Sequence, residues 1–307
     1  MRKVIGIGET ILDIIFRNDQ PKHATPGGSV FNCMVSLGRR RIPVFFISEL
    51  GKDPVGQRIR AFMHQNHIST DYIDFFEDGS SPVALAFLNE QSQAQYQFFR
   101  EFPAQRLRIN LPEIHANDIF ILGSYYAVDP AVRPAVFDLI TCSKERKAIV
   151  YYDINFRPAH VHERERLMEY FFENIARATI VRCSDEDLHT LFPQESLETI
   201  YEKYLAFRCP LVIITQGDKE TILKTGSWEK KYPVQAVQLL STVGAGDSFN
   251  AGLIYGLMQH NILVEDIAFL PETGWDCLIA YAHAFAAEVC GSYENYISEE
   301  FNPSDRK

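Results

Sequence analysis

Cysteine is sparse in this chain of 307 residues, and its placement excludes two common architectures. Cys33, Cys142, Cys183, Cys209, Cys277 and Cys290 are scattered, and no two of them form a C-x-x-C pair. Neither a disulfide framework nor a zinc site fits such spacing, whereas reduced core thiols do. Basic residues are outnumbered 30 to 40, for a net charge of −10. A general nucleic-acid surface or an anionic-membrane surface is therefore not expected, although a local basic cleft stays compatible. No apolar run approaches ~18 residues, so no membrane span is expected. Met1-Arg2-Lys3 leads straight into Val4-Ile5-Gly6-Ile7-Gly8, which is too short and too glycine-interrupted for a signal peptide. A cytoplasmic location is the expectation. Internal repeats and low-complexity linkers are absent as well.

Three phosphate-binding signatures are missing. Gly6-x-Gly8 begins like a dinucleotide fingerprint, but the third glycine position is Ile11. No G-x-x-x-x-G-K-[ST] occurs, and the protein-kinase motif set is absent. His160 and His162, flanked by Glu163-Arg164-Glu165-Arg166, read as a solvated helix start rather than a metal site. His64 and His67 share a helical spacing without a third ligand nearby.

What is present is a core and a rhythm. Hydrophobic residues make up 46% of the chain. Near-continuous apolar runs at Val4–Gly8, Val44–Ser48, Ile119–Leu122, Ala148–Asp153, Thr179–Cys183 and Leu211–Thr215 predict strands buried on both faces. Amphipathic stretches at Val55–Asn66, Ala131–Lys144, Arg164–Ala176 and Leu197–Phe207 predict helices between them. This alternation predicts an α/β fold, a mostly parallel sheet with helices on both faces. Ligands gather at the C-terminal ends of such strands. Tyr72–Phe76, Val83–Leu88 and Gln95–Phe99 lack an intervening helix and, with Ile14–Arg17, predict a small sheet beside the main one. One domain over residues 1–307 is expected, with lid strands drawn from about 14–25 and 72–104. Only Ser304–Lys307 reads as disordered.

Two motifs carry chemistry. Thr242-Val243-Gly244-Ala245-Gly246-Asp247 lies between an alternating run, Tyr232–Leu239, and an apolar helical stretch starting at Ser248. Small residues at a helix start let backbone N–H groups converge on an anion. An acid directly behind such a hole would repel phosphate, unless it takes a proton from a hydroxyl attacking that phosphate. The competing reading is a helix start with Asp placed for the dipole alone. The second motif, Pro26-Gly27-Gly28-Ser29-Val30-Phe31-Asn32, admits a ligand close to the backbone. With Asp13 upstream, it offers donors and acceptors suited to a polyol.

These blocks, about 215 residues apart, resemble the ribokinase-like (PfkB) family of carbohydrate kinases, and in pattern the fructokinases. Gly51-Lys52-Asp53-Pro54-Val55-Gly56, Thr215-Gln216-Gly217-Asp218 and Ala282-His283 through Gly291 extend the resemblance along the chain. The resemblance implies ATP-dependent phosphorylation of a sugar hydroxyl with Mg2+. Asp247 would be the base, and the amides of Gly244, Ala245 and Gly246 would stabilise the transferring phosphoryl. Asp13, Gly27, Gly28 and Asn32 would bind sugar. Ser184, Thr215, Gly217 and His283 would lie on the nucleotide side; for His283 a plain packing role competes. It also implies that the small sheet is a lid over the sugar, excluding water, and in many members a homodimer surface.

Three departures from the family pattern stand out. Ser241 occupies a position where the family usually has an Asp that helps hold a monovalent cation, which leaves cation activation open. Ser184-Asp185-Glu186-Asp187 stands for Asn-x-x-Glu, making Asp187 the candidate metal residue, acting through water. Ser29-Val30-Phe31 replaces a frequent Ala-Pro-Ala. Val83–Phe87 followed by Phe98-Phe99-Arg100, and Asp153-Ile154-Asn155-Phe156-Arg157-Pro158, lean toward a ketose. Arg100 and Arg157 would then contact sugar hydroxyls or a sugar-acid carboxylate, unless they pair with Asp153 or Glu101. Fructose is the expected substrate. The alternatives are 2-keto-3-deoxygluconate kinase, ribokinase, or a catalytically silent sugar-binding regulator.

Overall fold

The computed structural model describes residues 1–88 and 94–303; the tail expected to be disordered, 304–307, lies outside them. The first part of the chain forms β1 (Val4–Ile7), β2 (Ile11–Arg17), β3 (Gln20–Gly27), α1 (Ser29–Arg39), β4 (Val44–Gly51) and α2 (Pro54–Gln65). There follow β5 (Ile68–Ser69), β6 (Ile73–Phe76), β7 (Ser80–Leu88), β8 (Ala94–Glu101), β9 (Ile119–Gly123), α3 (Arg133–Glu145), β10 (Ile149–Asp153) and α4 (Arg164–Arg177). The remainder comprises β11 (Ile180–Ser184), α5 (Asp185–Leu191), α6 (Leu197–Ile200), β12 (Val212–Thr215), β13 (Glu220–Lys224), β14 (Glu229–Pro233), α7 (Ala245–Gln259), α8 (Val264–Ile267) and α9 (Glu272–Cys290).

The central sheet has the order β14-β13-β12-β11-β10-β9-β1-β4-β5, with β6 also on β4. It is parallel from β12 to β5, while β13 and β14 run antiparallel at one edge. Period-two alternation divides its side chains between two cores. Ile119, Ile121, Ile149 and Tyr151 join the layer containing Phe31, Met34, Leu253 and Trp275. Their neighbours Phe120, Leu122, Val150 and Tyr152 join Val136, Leu139, Leu167 and Phe171 on the other face. Helices on both faces are what the apolar runs demanded, since a strand buried on both sides has no polar face to show water.

A separate four-stranded sheet has the order β3-β2-β7-β8. Ile73–Phe76 does not belong to it, contrary to expectation. Those residues pair in parallel with Ser48–Gly51 of the main sheet, and Ile73, Asp74 and Phe76 are buried. The Asp74 carboxylate accepts the Arg108 N–H at 2.7 Å, which accounts for a charged residue in a buried strand.

Three further expectations are corrected. The alternation at 232–239 yields a strand only to Pro233, and beyond it Val237, Leu239 and Leu240 are exposed rather than alternately buried. The helix after the Gly-rich block starts at Ala245 instead of Ser248. Leu197–Phe207 is a short α-turn, Leu197–Ile200, followed by a π-turn, Tyr201–Leu205. All six cysteines are free. Among the described residues no helix is long and apolar enough to cross a membrane.

Candidate active site

The C-terminal ends of β1, β10, β11 and β12 share one edge of the parallel sheet, and the heads of α1 and α7 meet there. Two glycines make those heads possible. Gly28 has φ 134°, and a Cβ on it would lie 2.3 Å from the Glu9 carbonyl oxygen. Gly244 has φ 80°, and a Cβ there would lie 2.3 Å from the Asn295 carbonyl oxygen. Each turn combines a left-handed backbone with contact against another main chain, which only glycine accommodates.

Asp247 sits in the first turn of α7, 8% exposed. Its Oδ1 accepts the Ser29 hydroxyl at 2.8 Å, and its Oδ2 accepts the Asn32 amide at 2.8 Å. Asn155 in turn donates to Ser29 Oγ at 2.7 Å. Burial raises the Asp247 pKa; the bonds from Asn32 and Ser29, then Arg157 and Arg182, pull it back. The carboxylate is thus aimed by two donors from α1 beside the Gly244–Gly246 turn, with the Ala245 N–H closing that turn onto the Thr242 carbonyl at 3.2 Å. A buried base next to the amino end of a helix can draw a proton from an alcohol while the amides face an anion.

Asp13, on β2, lies against Gly27, where a Cβ would fall 2.5 Å from its Oδ2. Burial, reinforced by Glu9, lifts its pKa to about 7. Arg100 pairs with neither Glu101 nor Asp153. From β8 it donates to both oxygens of Glu9, at 2.5 and 2.9 Å, because the small sheet folds across the end of β1. Arg157 is exposed just beyond β10, close enough to favour the ionised form of Asp247.

Across the edge, Ser184 caps α5 and exchanges bonds with Asp187: Asp187 N–H to Ser184 Oγ at 3.0 Å, and Ser184 N–H to Asp187 Oδ2 at 2.8 Å. Asp187 is 3% exposed, and burial raises its pKa. One of its oxygens is therefore committed to the cap. Among the described residues no group of three or more His, Cys, Asp or Glu is placed to hold a metal. Thr215 Oγ1 accepts from Arg182 at 2.6 Å, and Gly217 follows in an open, exposed turn. His283 Nε2 meets Thr221 Oγ1 at 2.9 Å, and burial lowers its pKa. Val237, Gln238, Leu240, Ala287 and Gly291 line a cleft of about 400 Å³. Ser241 Oγ accepts the Val243 N–H at 3.2 Å.

Sequence reasoning overlooked Ser29, Arg182, Asn250 and Asn295. Asn250 donates to Asp153 at 2.8 Å, and Arg182 pairs with the same carboxylate at 3.1 Å. A lone cation inside the apolar run Ile180–Ser184 was the available signal for Arg182. Nothing local marks Asn295, whose carbonyl is brought against Gly244 by the chain beyond α9.

Fold and site together define a phosphotransferase with an alcohol acceptor. The comparisons with known proteins agree. Residues 1–301 match the family described as pfkB family carbohydrate kinase, and the chain belongs to that family. It is 26% identical to fructokinase-1 of Oryza sativa subsp. japonica, over 92% of this chain and 90% of the rice protein. Its fold is similar to that of a fructokinase double mutant from Vibrio cholerae O395 in a fructose, ADP and potassium ion bound form. That match has TM-score 0.84 and 23% identity, over 96% of this chain and 94% of the other. It is also similar to an aminoimidazole riboside kinase from Salmonella enterica complexed with aminoimidazole riboside and an ATP analog. Here the TM-score is 0.81 and the identity 21%, over 99% and 98% of the two chains.

Proposed function

We propose that this carbohydrate kinase is a fructokinase, moving the γ-phosphoryl group of ATP to the terminal hydroxyl of fructose in the cytoplasm. The observation carrying the reading is the Asp247 carboxylate, held by Ser29 and Asn32 at the head of α7 beside the Gly244–Gly246 turn. Asp247 takes the sugar proton as attack begins, and the amides of the turn receive charge on the transferring group, those of Gly244 and Gly246 directly and that of Ala245 only if it leaves the Thr242 carbonyl. Asp13, Gly27, Gly28 and Asn32 bind the sugar, and Asn32 also aims the base. Arg157, exposed just beyond β10 and acting on Asp247, contacts sugar hydroxyls. Arg100 acts through Glu9, tying the small sheet down as a water-excluding lid, and exposed Phe98 and Phe99 on that sheet offer a homodimer surface.

Ser184, Thr215, Gly217 and His283 form the nucleotide side, with the Val237–Gly291 cleft suited to a flat base. Mg2+ bound to the nucleotide would neutralise phosphate charge, with Asp187 contributing through water. Fructokinase relatives and the lid pattern favour a ketose over ribose. The engagement of Arg100 with Glu9 leaves Arg157 as the guanidinium that would meet a sugar hydroxyl or a sugar-acid carboxylate.

The test is ATP consumption over fructose, ribose and 2-keto-3-deoxygluconate. Fructose should give the highest kcat/KM. A higher value for either competitor replaces fructose, and tight sugar binding with no turnover on any of them favours a regulator.

A further inference from the structure

Arg182 takes no part in the reaction just described, yet it is a buried charge held at the site by two neighbouring strands. It projects from β11 and is 6% exposed. Its Nη1 donates to Asp153 Oδ1 at 3.1 Å and its Nη2 to Thr215 Oγ1 at 2.6 Å, while its buried Nε has no partner. A Cβ placed on Gly246 would lie 3.0 Å from both Nη1 and Nη2. The end of the guanidinium is therefore seated directly against the middle of the phosphate-facing turn. The surroundings are acidic: Asp153, Asp187 and Asp247 are 1%, 3% and 8% exposed. Three carboxylates in such a space would repel both a nucleotide polyphosphate and one another.

We propose that Arg182 is a positioning residue for phosphoryl transfer, placing a permanent positive charge behind the Gly244–Gly246 amides and adding to the positive field that Arg157 also casts on Asp247. It does so without touching substrate. Asp153 and Thr215 hold it in place, and Asn250, one turn beyond Asp247, holds Asp153. Because the guanidinium rather than the carboxylate abuts Gly246, the ion pair presents its positive end to the turn. Burial alone would work against the guanidinium charge, but Asp153 and Asp187 more than offset it, so the group stays charged at any working pH. A glycine at 246 is explained by the same contact, since a methyl group there would press on both terminal nitrogens. The inference rests on Asp247 being the base.

The experiment compares Arg182→Met and Arg182→Lys with the native enzyme, reading kcat, both KM values and the pH dependence of kcat. The Met variant should lose kcat by about 100-fold or more, with the acid limb moved to higher pH and sugar KM within about threefold. The Lys variant, which keeps the charge, should recover most of the loss and return the limb toward its native position. Three results would each overturn the proposal: kcat of Arg182→Met within about threefold of native, an acid limb that does not move, or Arg182→Lys no better than Met. Should Arg182→Met fail to fold because Asp153 is stranded, the double variant Arg182→Met/Asp153→Asn removes both charges. Its kcat should again be about 100-fold down, and a value within about threefold of native overturns the idea. Asp247→Asn measured alongside separates the two readings. Full turnover there removes the base itself, whereas an inert Arg182 beside a dead Asp247→Asn removes only this inference.

Discussion

Raising the pH from 5 to 8 forces Asp13 to ionise inside the fold, and the cost should be measurable. Burial first, and Glu9 second, lift its pKa from 3.8 to about 7. Between those two values the native chain holds a proton that the unfolded chain has released. Stability is therefore greatest below pH 4 with respect to this group, and is lost as pH rises through about 7. At roughly 1.4 kcal/mol per tenfold, full expression of the shift amounts to about 2.5 kcal/mol between pH 5 and 8. Asp13 keeps some contact with water, so about 1–2 kcal/mol is the expected loss. Asp13→Asn cannot titrate, and subtracting its stability curve from the native one removes the parallel contributions of Asp153, Asp187 and Asp247. Urea denaturation of both proteins at pH 5, 6, 7 and 8 is the assay. The native-minus-variant difference should fall mostly between pH 5 and 7 and level off toward pH 8. A difference flat to within about 0.3 kcal/mol, or one that rises, refutes burial as the dominant influence on this carboxyl. Glu9→Gln should change the slope only slightly, because Glu9 is the lesser cause and Arg100 already pairs with it.

Asp247→Asn should lower kcat by about 100-fold or more while sugar affinity, followed by calorimetry, stays within about threefold. Unchanged turnover would mean that another group handles the proton. Gly244→Ala should cost about 1–2 kcal/mol for its left-handed backbone. Its methyl group would also meet the Asn295 carbonyl oxygen at 2.3 Å. The turn must then shift, and a displacement near ~1 Å predicts a loss of about 100-fold in kcat, checked beside the melting temperature. Replacing potassium by tetramethylammonium should alter native turnover by less than about twofold, because the neutral Ser241 oxygen attracts a cation less than a carboxylate would. Ser241→Asp should introduce a potassium response, and a strong response in the native enzyme would contradict this.

Ile119–Leu122 and Ala148–Asp153 were recognisable in the chain as doubly buried strands, because hydrophobic periodicity is a local property and each residue reports its own face. The Gly-rich turn ahead of Asp247 and the paired glycines ahead of Asn32 were equally visible, since residues with little or no side chain at a helix start leave the backbone amides open to a ligand. Partnerships lay beyond that reach. Arg100 faces Glu9, 91 residues away, and Arg182 crosses to Asp153 and Thr215 on neighbouring strands. Asn295 meets Gly244 only because α9 returns the chain to the site. Ile73–Phe76 joined β4 rather than the small sheet for the same reason: hydrogen-bonding edges are chosen by what is left unpaired once the main sheet assembles. Local chemistry settled which groups exist and which backbone each demands. The direction in which every charge is turned was decided by packing, where desolvation makes an unmatched charge too costly to leave alone.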